Sequence, residues 1–135
     1  MKYVVDASVA LKWFRGGEPD EENVEEAVEL LLAIQTGEVE VIQPPHWKAE
    51  VLSVLARQYP EDIDTMAGAV EALGFTAIDT LEIYQRAGRL ANKLNHHLFD
   101  TLYHAVALET GAEFVTADRK YARKARGEGA LKLLG

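Results

Sequence analysis

Four acidic residues are the side chains of this sequence with the clearest capacity for chemistry. They are Asp6, Glu50, Asp100 and Asp118. Asp6 and Asp118 follow short β-branched runs that read as strands, and Asp100 opens a candidate helix. Glu50 lies about one turn into another candidate helix, which also follows a strand. Because ligands of open parallel sheets bind at the carboxyl ends of the strands, we expect the four carboxylates to approach one edge of a sheet.

Each acid taken alone also has an ordinary structural explanation. Asp6, Asp100 and Asp118 each precede a predicted helix, where aspartate is a preferred N-cap, and Glu50 could be an exposed helix position. Together, however, four carboxylates at one edge would repel one another unless a cation lies between them. A site that offers carboxylate oxygens, with no cysteine and no pair of histidines in a zinc-binding pattern, favours Mg²⁺ or Mn²⁺. Such an ion can activate water and neutralise charge on a phosphoryl oxygen.

The elements that must position these acids alternate along the chain. The predicted strands are residues 3–5, 39–42, 75–78, 113–116 and 130–134. The predicted helices are residues 7–14, 20–35, 46–59, 63–73, 81–94, 100–109 and 119–126. Helical spacing in the second helix predicts a buried face formed by Val24, Ala27, Val28, Leu31 and Leu32. Alternating strands and helices predict an α/β protein with a parallel sheet and helices on both faces.

Length and composition limit the class of protein. With 135 residues, the chain is about 0.9 of an average domain, which predicts one domain over residues 1–135. Disulfide scaffolds, thiolate zinc sites and cysteine nucleophiles are excluded because there is no cysteine. We find no signal peptide and no run long enough to span a membrane, so we expect a cytoplasmic protein without a membrane partner.

Charge is divided unevenly along the sequence. The net charge of −8 argues, taken alone, against a protein that coats nucleic acid with a basic surface. Residues 1–82 carry a net −12, however, and residues 83–135 a net +4. Five basic residues follow Asp118 closely, either as a solvated helix or as a patch that contacts phosphates. They are Arg119, Lys120, Arg123, Lys124 and Arg126.

Four sequence blocks resemble those of VapC-type PIN-domain proteins. They are VVDASVALKWF at residues 4–14, PPHWKAEV at 44–51, FDTLYHAVA at 99–107 and FVTADR at 114–119. They stand in the family's order and span most of the chain. The resemblance implies a PIN-like, Rossmann-like three-layer α/β/α sandwich with a central, mainly parallel sheet of four to five strands. It also implies that Asp6, Glu50, Asp100 and Asp118 bind Mg²⁺ or Mn²⁺ and cut RNA.

The resemblance extends to supporting residues and to partners. It places Ser8 and Thr116 close to the metal as supports of its ligands, although simple bonding to local backbone is an alternative for both. Ser53 stands where family members often have asparagine, so no amide contact is expected there. A VapC-type protein would be the toxin of a type II toxin–antitoxin pair, blocked by a small antitoxin protein, and it would commonly form a homodimer.

Other interpretations remain open from the sequence. A housekeeping RNA-processing PIN nuclease and a catalytically idle PIN-fold interaction module share the same blocks. A signalling receiver domain is disfavoured because Ala7 follows Asp6, where a second acid would be needed. Six further side chains could take part in general-base chemistry or base stacking, or could lie in the core or on the surface. They are His96, His97, His104, Trp13, Phe14 and Trp47.

Overall fold

The structure, a computed structural model, describes residues 1–135 and contains a parallel sheet of five strands. The strands are β1 (Lys2–Val5), β2 (Glu40–Gln43), β3 (Thr76–Ala77), β4 (Glu113–Thr116) and β5 (Leu131–Leu133). Their order is β3-β2-β1-β4-β5, and every neighbouring pair is parallel. The central strand β1 and its neighbour β4 therefore end side by side at the carboxyl edge of the sheet.

Seven helices connect and cover the strands. They are α1 (Ala7–Arg15), α2 (Val24–Gln35), α3 (Trp47–Gln58), α4 (Ile63–Ala72), α5 (Leu81–Leu94), α6 (Leu98–Thr110) and α7 (Arg119–Ala125). A short 3₁₀ turn, Arg126–Glu128, follows α7. Each predicted strand and helix is present, which confirms the α/β prediction. None of the helices is both long enough and apolar enough to cross a membrane.

The strand β1 separates two hydrophobic cores because its side chains alternate between the faces of the sheet. Tyr3 and Val5 pack with α2 and part of α1 in the smaller core, and Val4 packs with α3 to α7 and the rest of α1 in the larger one. These two layers and the sheet between them confirm the predicted three-layer α/β/α sandwich. Trp47 is 1% exposed in the larger core, and the Nε1 of Trp13 donates to the Ala27 carbonyl at 2.8 Å. Both tryptophans thus serve packing rather than base stacking.

The second helix begins later than the sequence predicted. It starts at Val24 rather than at residue 20, because the acids before it are used in contacts with α1. The buried Lys12 Nζ donates to the Glu21 carboxylate at 3.0 Å and to the Glu22 carbonyl at 2.6 Å. Asn23, with φ 55°, then turns the chain into the helix. Residues 20–22 therefore belong to an ion-paired connection instead of a first helical turn.

The predicted buried face of α2 is also partly wrong. Ala27 is fully buried, but Val28 and Leu32 are 41% and 54% exposed. The side chains that pack beside Ala27 in the smaller core are instead Leu30, Ala33 and Ile34. Helical spacing alone cannot distinguish these two overlapping faces, because leucine, valine and isoleucine occur on both.

The start of α6 changes the position predicted for Asp100. The helix begins at Leu98, with His97 as its N-cap residue, so Asp100 lies in the first turn rather than at the cap. The connection before α6 is short: α5 ends at Leu94, and its cap residue Asn95 turns the chain in a left-handed conformation with φ 50°. The helix-capping alternative for Asp100 is therefore excluded.

Candidate active site

The four candidate acids lie on elements that meet at the carboxyl edge of the sheet. Asp6 directly follows β1, and Asp118 is the N-cap residue of α7, just beyond β4. Glu50 and Asp100 lie in the first turns of α3 and α6. The neighbouring strands β1 and β4 bring the loops of Asp6 and Asp118 together: the Thr116 hydroxyl at the end of β4 donates to the Asp6 Oδ2 at 2.8 Å.

Two hydroxyl groups fix the Asp6 carboxylate to the loop after β4. Ser8 Oγ donates to Asp6 Oδ2 at 2.7 Å and accepts from the Ala117 N–H at 3.0 Å. Thr116 Oγ1 donates to the same Asp6 oxygen and accepts from the Asp118 N–H at 3.0 Å. Each hydroxyl thus bonds both a backbone N–H and the Asp6 carboxylate; the N–H is local for Thr116, whereas the N–H bonded to Ser8 lies 109 residues further along the chain. Asp6 makes no capping hydrogen bond to α1.

The Glu50 carboxylate is held by Tyr103, which belongs to the larger core, and by His46. The Tyr103 hydroxyl donates to Glu50 Oε1 at 2.6 Å, and His46 Nε2 lies 3.4 Å from the same oxygen. His46 Nε2 is also 2.8 Å from the Phe99 carbonyl, which can only accept, so this nitrogen carries a proton. The pKa of His46 is raised: its burial opposes this, but the Glu50 carboxylate and the Phe99 carbonyl outweigh it.

Asp100 is held by a histidine from the connection between α5 and α6. His96 Nε2 is 2.7 Å from Asp100 Oδ2, and Lys124 Nζ is 3.2 Å from His96 Nδ1. Because an ammonium group only donates, Nδ1 accepts and the Nε2–H donates to Asp100. Lys124 on α7 therefore orients the imidazole that orients the carboxylate.

The four carboxylates share one arrangement of their oxygens. In each, the protein holds one oxygen, and the other oxygen accepts no hydrogen bond from the protein. The held oxygens are Asp6 Oδ2, Glu50 Oε1, Asp100 Oδ2 and Asp118 Oδ1, the last of which accepts from the Tyr121 N–H at 3.0 Å. Asp118 thus caps α7 and keeps its second oxygen available. Each side chain is positioned by one oxygen and can bind a ligand with the other.

The acids influence one another through space. Burial raises the pKa of Asp6 to about 6, although its hydrogen bonds from Ser8 and Thr116 oppose the change. The negative charges of Asp100 and Glu50 raise it further, which places the three carboxylates in one electrostatic neighbourhood. A cation between them would remove this penalty.

Two buried tyrosines, Tyr103 and Tyr121, lie close enough to the acids to be affected by their charges. Burial raises the pKa of the Tyr103 hydroxyl, and the charges of Asp6 and Glu50 raise it further. The pKa of Tyr121 is raised in the same way by burial and by Asp100 and Asp6. Both hydroxyl groups therefore stay protonated and act as hydrogen-bond donors at neutral pH.

The donor set fits a hard divalent cation. No three histidine, aspartate or glutamate side chains already converge to the spacing of a metal-binding cluster. The available ligands are nevertheless carboxylate oxygens, which Mg²⁺ and Mn²⁺ prefer, and they carry the mutual repulsion that such a cation relieves. The Glu50 and Asp100 side chains are 31% and 40% exposed, so they have room to turn towards an ion.

A buried glutamine that the sequence analysis missed supports the edge next to Asp6. The Val5 N–H donates to Gln43 Oε1 at 2.7 Å, and Gln43 Nε2 donates to the Val5 carbonyl at 2.8 Å. The side-chain amide thus satisfies the last residue of β1. His46 and Tyr103 were also missed as contacts of Glu50. A polar residue at the end of an apolar strand was the available signal for Gln43, whereas the other two contacts depend on the tertiary fold.

The remaining candidates take different places. His104 is buried, accepts from the Tyr121 hydroxyl at Nδ1 and donates from Nε2 to the Gly129 carbonyl, so it is a core residue and not a free base. Arg119 is exposed and lies 3.4 Å from the Glu22 carboxylate. The other predicted RNA contacts, Lys120 and Arg123, are exposed and make no ion pair.

A family model and two solved structures show what this chain is similar to. A sequence model of the PIN domain family matches residues 3–127. A chain of a toxin–antitoxin complex from Klebsiella pneumoniae has a similar structure, with a TM-score of 0.65 and 19% identity over 96% of this chain and 95% of that chain. A chain of VapBC2 from Rickettsia felis, bound to a DNA fragment from its promoter, gives a TM-score of 0.65 and 15% identity over 98% and 97%. None of the curated proteins compared with the chain matches its sequence.

Proposed function

Because this chain belongs to the PIN domain family, a family of nucleases, we propose that it is a metal-dependent endoribonuclease that hydrolyses RNA phosphodiester bonds. The observation that carries the proposal is the shared arrangement of the four acids. They lie on elements that meet at the carboxyl edge of the sheet, and each keeps one oxygen free of protein hydrogen bonds while the other is held.

The catalytic side chains in this proposal are Asp6, Glu50, Asp100 and Asp118, which would hold Mg²⁺ or Mn²⁺. When bound, such an ion lowers the pKa of a water molecule and neutralises charge on phosphoryl oxygens. The protein's own contribution is positioning: Ser8 and Thr116 hold Asp6, and Tyr103 and His96 hold Glu50 and Asp100. No covalent nucleophile from the protein is required.

Substrate contacts are proposed for the basic start of α7. Arg119, Lys120 and Arg123 follow Asp118 within five residues and are exposed to solvent. Their positive charge would attract the RNA backbone towards an otherwise acidic site. Contacts of this kind position RNA without reading its sequence, so they support a nuclease but do not define its target.

We further propose that the protein is the toxin of a toxin–antitoxin pair and that it forms a homodimer. One of the two similar structures named above is a toxin–antitoxin complex and the other is VapBC2 bound to promoter DNA, which supports a protein partner. Expression of the chain in bacteria should arrest growth, and a small protein encoded beside its gene should relieve the arrest. Light scattering of the purified chain should give twice the monomer mass. Normal growth without the partner would contradict the toxin proposal, and a monomer mass would contradict the dimer.

Cleavage of single-stranded RNA in the presence of Mg²⁺ tests the nuclease proposal. We expect the substitutions Asp6→Asn and Asp100→Asn each to reduce cleavage at least about 100-fold, because even residues that only support metal ligands are worth 10- to 100-fold. Asp64→Asn is the matched control, since Asp64 is exposed on α4 and makes no ion pair. Unchanged cleavage in both site variants would overturn the proposal.

A further inference from the structure

A basic cavity lies beside Asp100, outside the set of four acids. It has a volume of about 310 Å³ and contains neither an acid nor an apolar side chain. The lining residues are Asn95, His96, His97, Lys120 and Lys124. His96 connects the two regions, because its ring lines the cavity and its Nε2–H donates to Asp100 at 2.7 Å. The imidazole ring of His96 therefore lies between the cavity and Asp100, a candidate metal ligand.

Several hydrogen-bond donors of this cavity have no partner in the protein. The Lys120 ammonium, the His97 ring and the Asn95 side-chain amide make no hydrogen bond to another residue, and none of them is buried. Lys124 Nζ uses two of its three protons, on the Asn95 carbonyl and on His96 Nδ1, each at 3.2 Å. Donors and positive charges without acceptors are suited to an anion.

The backbone around the cavity is well defined. Asn95 adopts a left-handed conformation with φ 50°, and the N–H groups of Asn95 and His96 both donate to the Ala91 carbonyl. Lys124 links α7 to this turn through the Asn95 carbonyl. No side chain caps the start of α6 at His97, whose ring lines the cavity.

We propose that this cavity binds a backbone phosphate of the RNA, adjacent to the phosphate that is cut. The inference rests on the proposed function, because the position beside Asp100 is what makes a neighbouring phosphate the expected anion. Lysine ammonium groups act on phosphate as point charges, so the cavity holds the backbone without reading the base sequence. It would thereby fix the register of the strand across the four acids.

Binding of labelled single-stranded RNA in EDTA, measured by fluorescence anisotropy over a range of salt concentrations, tests the cavity without any cleavage. Lys120→Gln should weaken binding and reduce the slope of log K against log salt by about 0.7, the amount expected for one lost phosphate contact on a single strand. Lys2→Gln is the matched control, because Lys2 is exposed at the opposite, amino-terminal end of β1. Equal slopes in the two variants would overturn the proposal.

Two further measurements separate the cavity from the metal site and from other ligands. Calorimetry should give the same Mn²⁺ affinity for Lys120→Gln as for the wild type, whereas a large loss would show that Lys120 acts on the carboxylates and overturn the proposal. An oligoglutamate that displaces the RNA as well as an RNA of equal charge would assign the cavity to protein carboxylates and also overturn it.

The outcomes also distinguish this inference from the nuclease proposal. RNA binding that depends on Lys120, in a protein that does not cleave RNA with Mg²⁺, would support the cavity and contradict the nuclease. Cleavage that requires Asp100, with RNA binding unaffected by Lys120→Gln, would support the nuclease and contradict the cavity.

Discussion

At the scale of single residues, Asp6 has the environment least suited to its own charge. Burial and the charges of Asp100 and Glu50 raise its pKa to about 6. The two hydroxyl donors, Ser8 and Thr116, compensate only in part. In the metal-free protein near neutral pH, the charged form of Asp6 is therefore destabilising, and a bound cation would reverse this effect.

The pH dependence of stability tests this description of Asp6. Between its ordinary pKa of 3.8 and about 6, the folded protein binds the proton more tightly than the unfolded chain. This group's contribution to the free energy of unfolding therefore falls as pH rises through that window, by about 3 kcal/mol in total. Asp6→Asn removes the effect. In urea denaturation with EDTA, the variant should gain stability relative to the wild type between pH 4 and pH 7.5.

The metal supplies the control for that experiment. Mg²⁺ should stabilise the wild type more at pH 7.5 than at pH 5, because binding requires the charged carboxylate. It should have much less effect on Asp6→Asn. If the free energy of unfolding in EDTA changed with pH in the same way for the wild type and for Asp6→Asn, the assigned environment of Asp6 would be contradicted.

Tyr103 provides a second test at the residue scale. Tyr103→Phe removes the hydrogen bond of 2.6 Å to Glu50 and leaves that carboxylate without its closest donor. We expect about 10-fold slower RNA cleavage, the scale of effects for residues that support metal ligands. The matched control is Tyr59→Phe, which removes a similar bond of 2.7 Å to Glu18. That variant should cleave at the wild-type rate, and equal losses in both would indicate a general effect on folding.

At the scale of elements, the junction between β1 and β2 helps to position Asp6. The two strands pair only at Lys2 with Glu40 and Tyr3 with Val41. Beyond these pairs, the buried Gln43 side chain bonds both the N–H and the carbonyl of Val5. The Gln43 side chain thus replaces the backbone hydrogen bonds between the two strands at Val5, the residue before Asp6.

Replacement of Gln43 should therefore affect both stability and the site. Gln43→Leu leaves the N–H and the carbonyl of Val5 buried without these partners, at about 1–3 kcal/mol for each group. Urea denaturation should show a loss of about 2–6 kcal/mol for the two groups together, and calorimetry should show weaker Mn²⁺ binding because Asp6 is displaced. Gln35→Leu, on the exposed end of α2, serves as the control. Unchanged Mn²⁺ affinity in Gln43→Leu would show that this junction does not position Asp6 for metal binding.

The elements show how far the sequence could predict the structure. Periodicity and strand ends were sufficient for the sheet, the helices and the placement of Asp6 and Asp118, because these signals are local. The late start of α2 depends on Lys12, which contacts acids nine and ten residues away. Likewise, the contact of Tyr103 with Glu50 spans 53 residues. Such partners are determined by the tertiary fold, so no local pattern predicts them.

At the scale of the whole molecule, the net charge of −8 averages over unlike regions. The acid-rich residues 1–82 carry a net −12, much of it on helices, whereas the region that contains Asp100 and Asp118 carries a net +4. The basic cavity belongs entirely to that second region. The acidic total therefore does not exclude an RNA substrate, and it favours weak, salt-sensitive binding over tight coating.

The prediction of one domain over residues 1–135 can be tested through the two tryptophans. Trp47 lies in the larger core, and Trp13 joins α1 to α2 and packs against both cores. If the cores unfold together, the fluorescence transitions of Trp13→Phe and Trp47→Phe should each coincide with the loss of helical circular dichroism in the same variant. A fluorescence midpoint that differs from the circular-dichroism midpoint in either variant would show that the two layers unfold separately.

The central claim, that four carboxylates form one divalent-metal site, is tested most directly by anomalous diffraction from crystals soaked in Mn²⁺. We predict density for one or two ions in contact with the oxygens of Asp6, Glu50, Asp100 and Asp118 that the protein leaves without hydrogen bonds. The same soak of Asp100→Asn crystals should weaken or remove the peak. Well-ordered wild-type crystals with no anomalous peak among these acids, or with a peak that contacts none of them, would contradict the account.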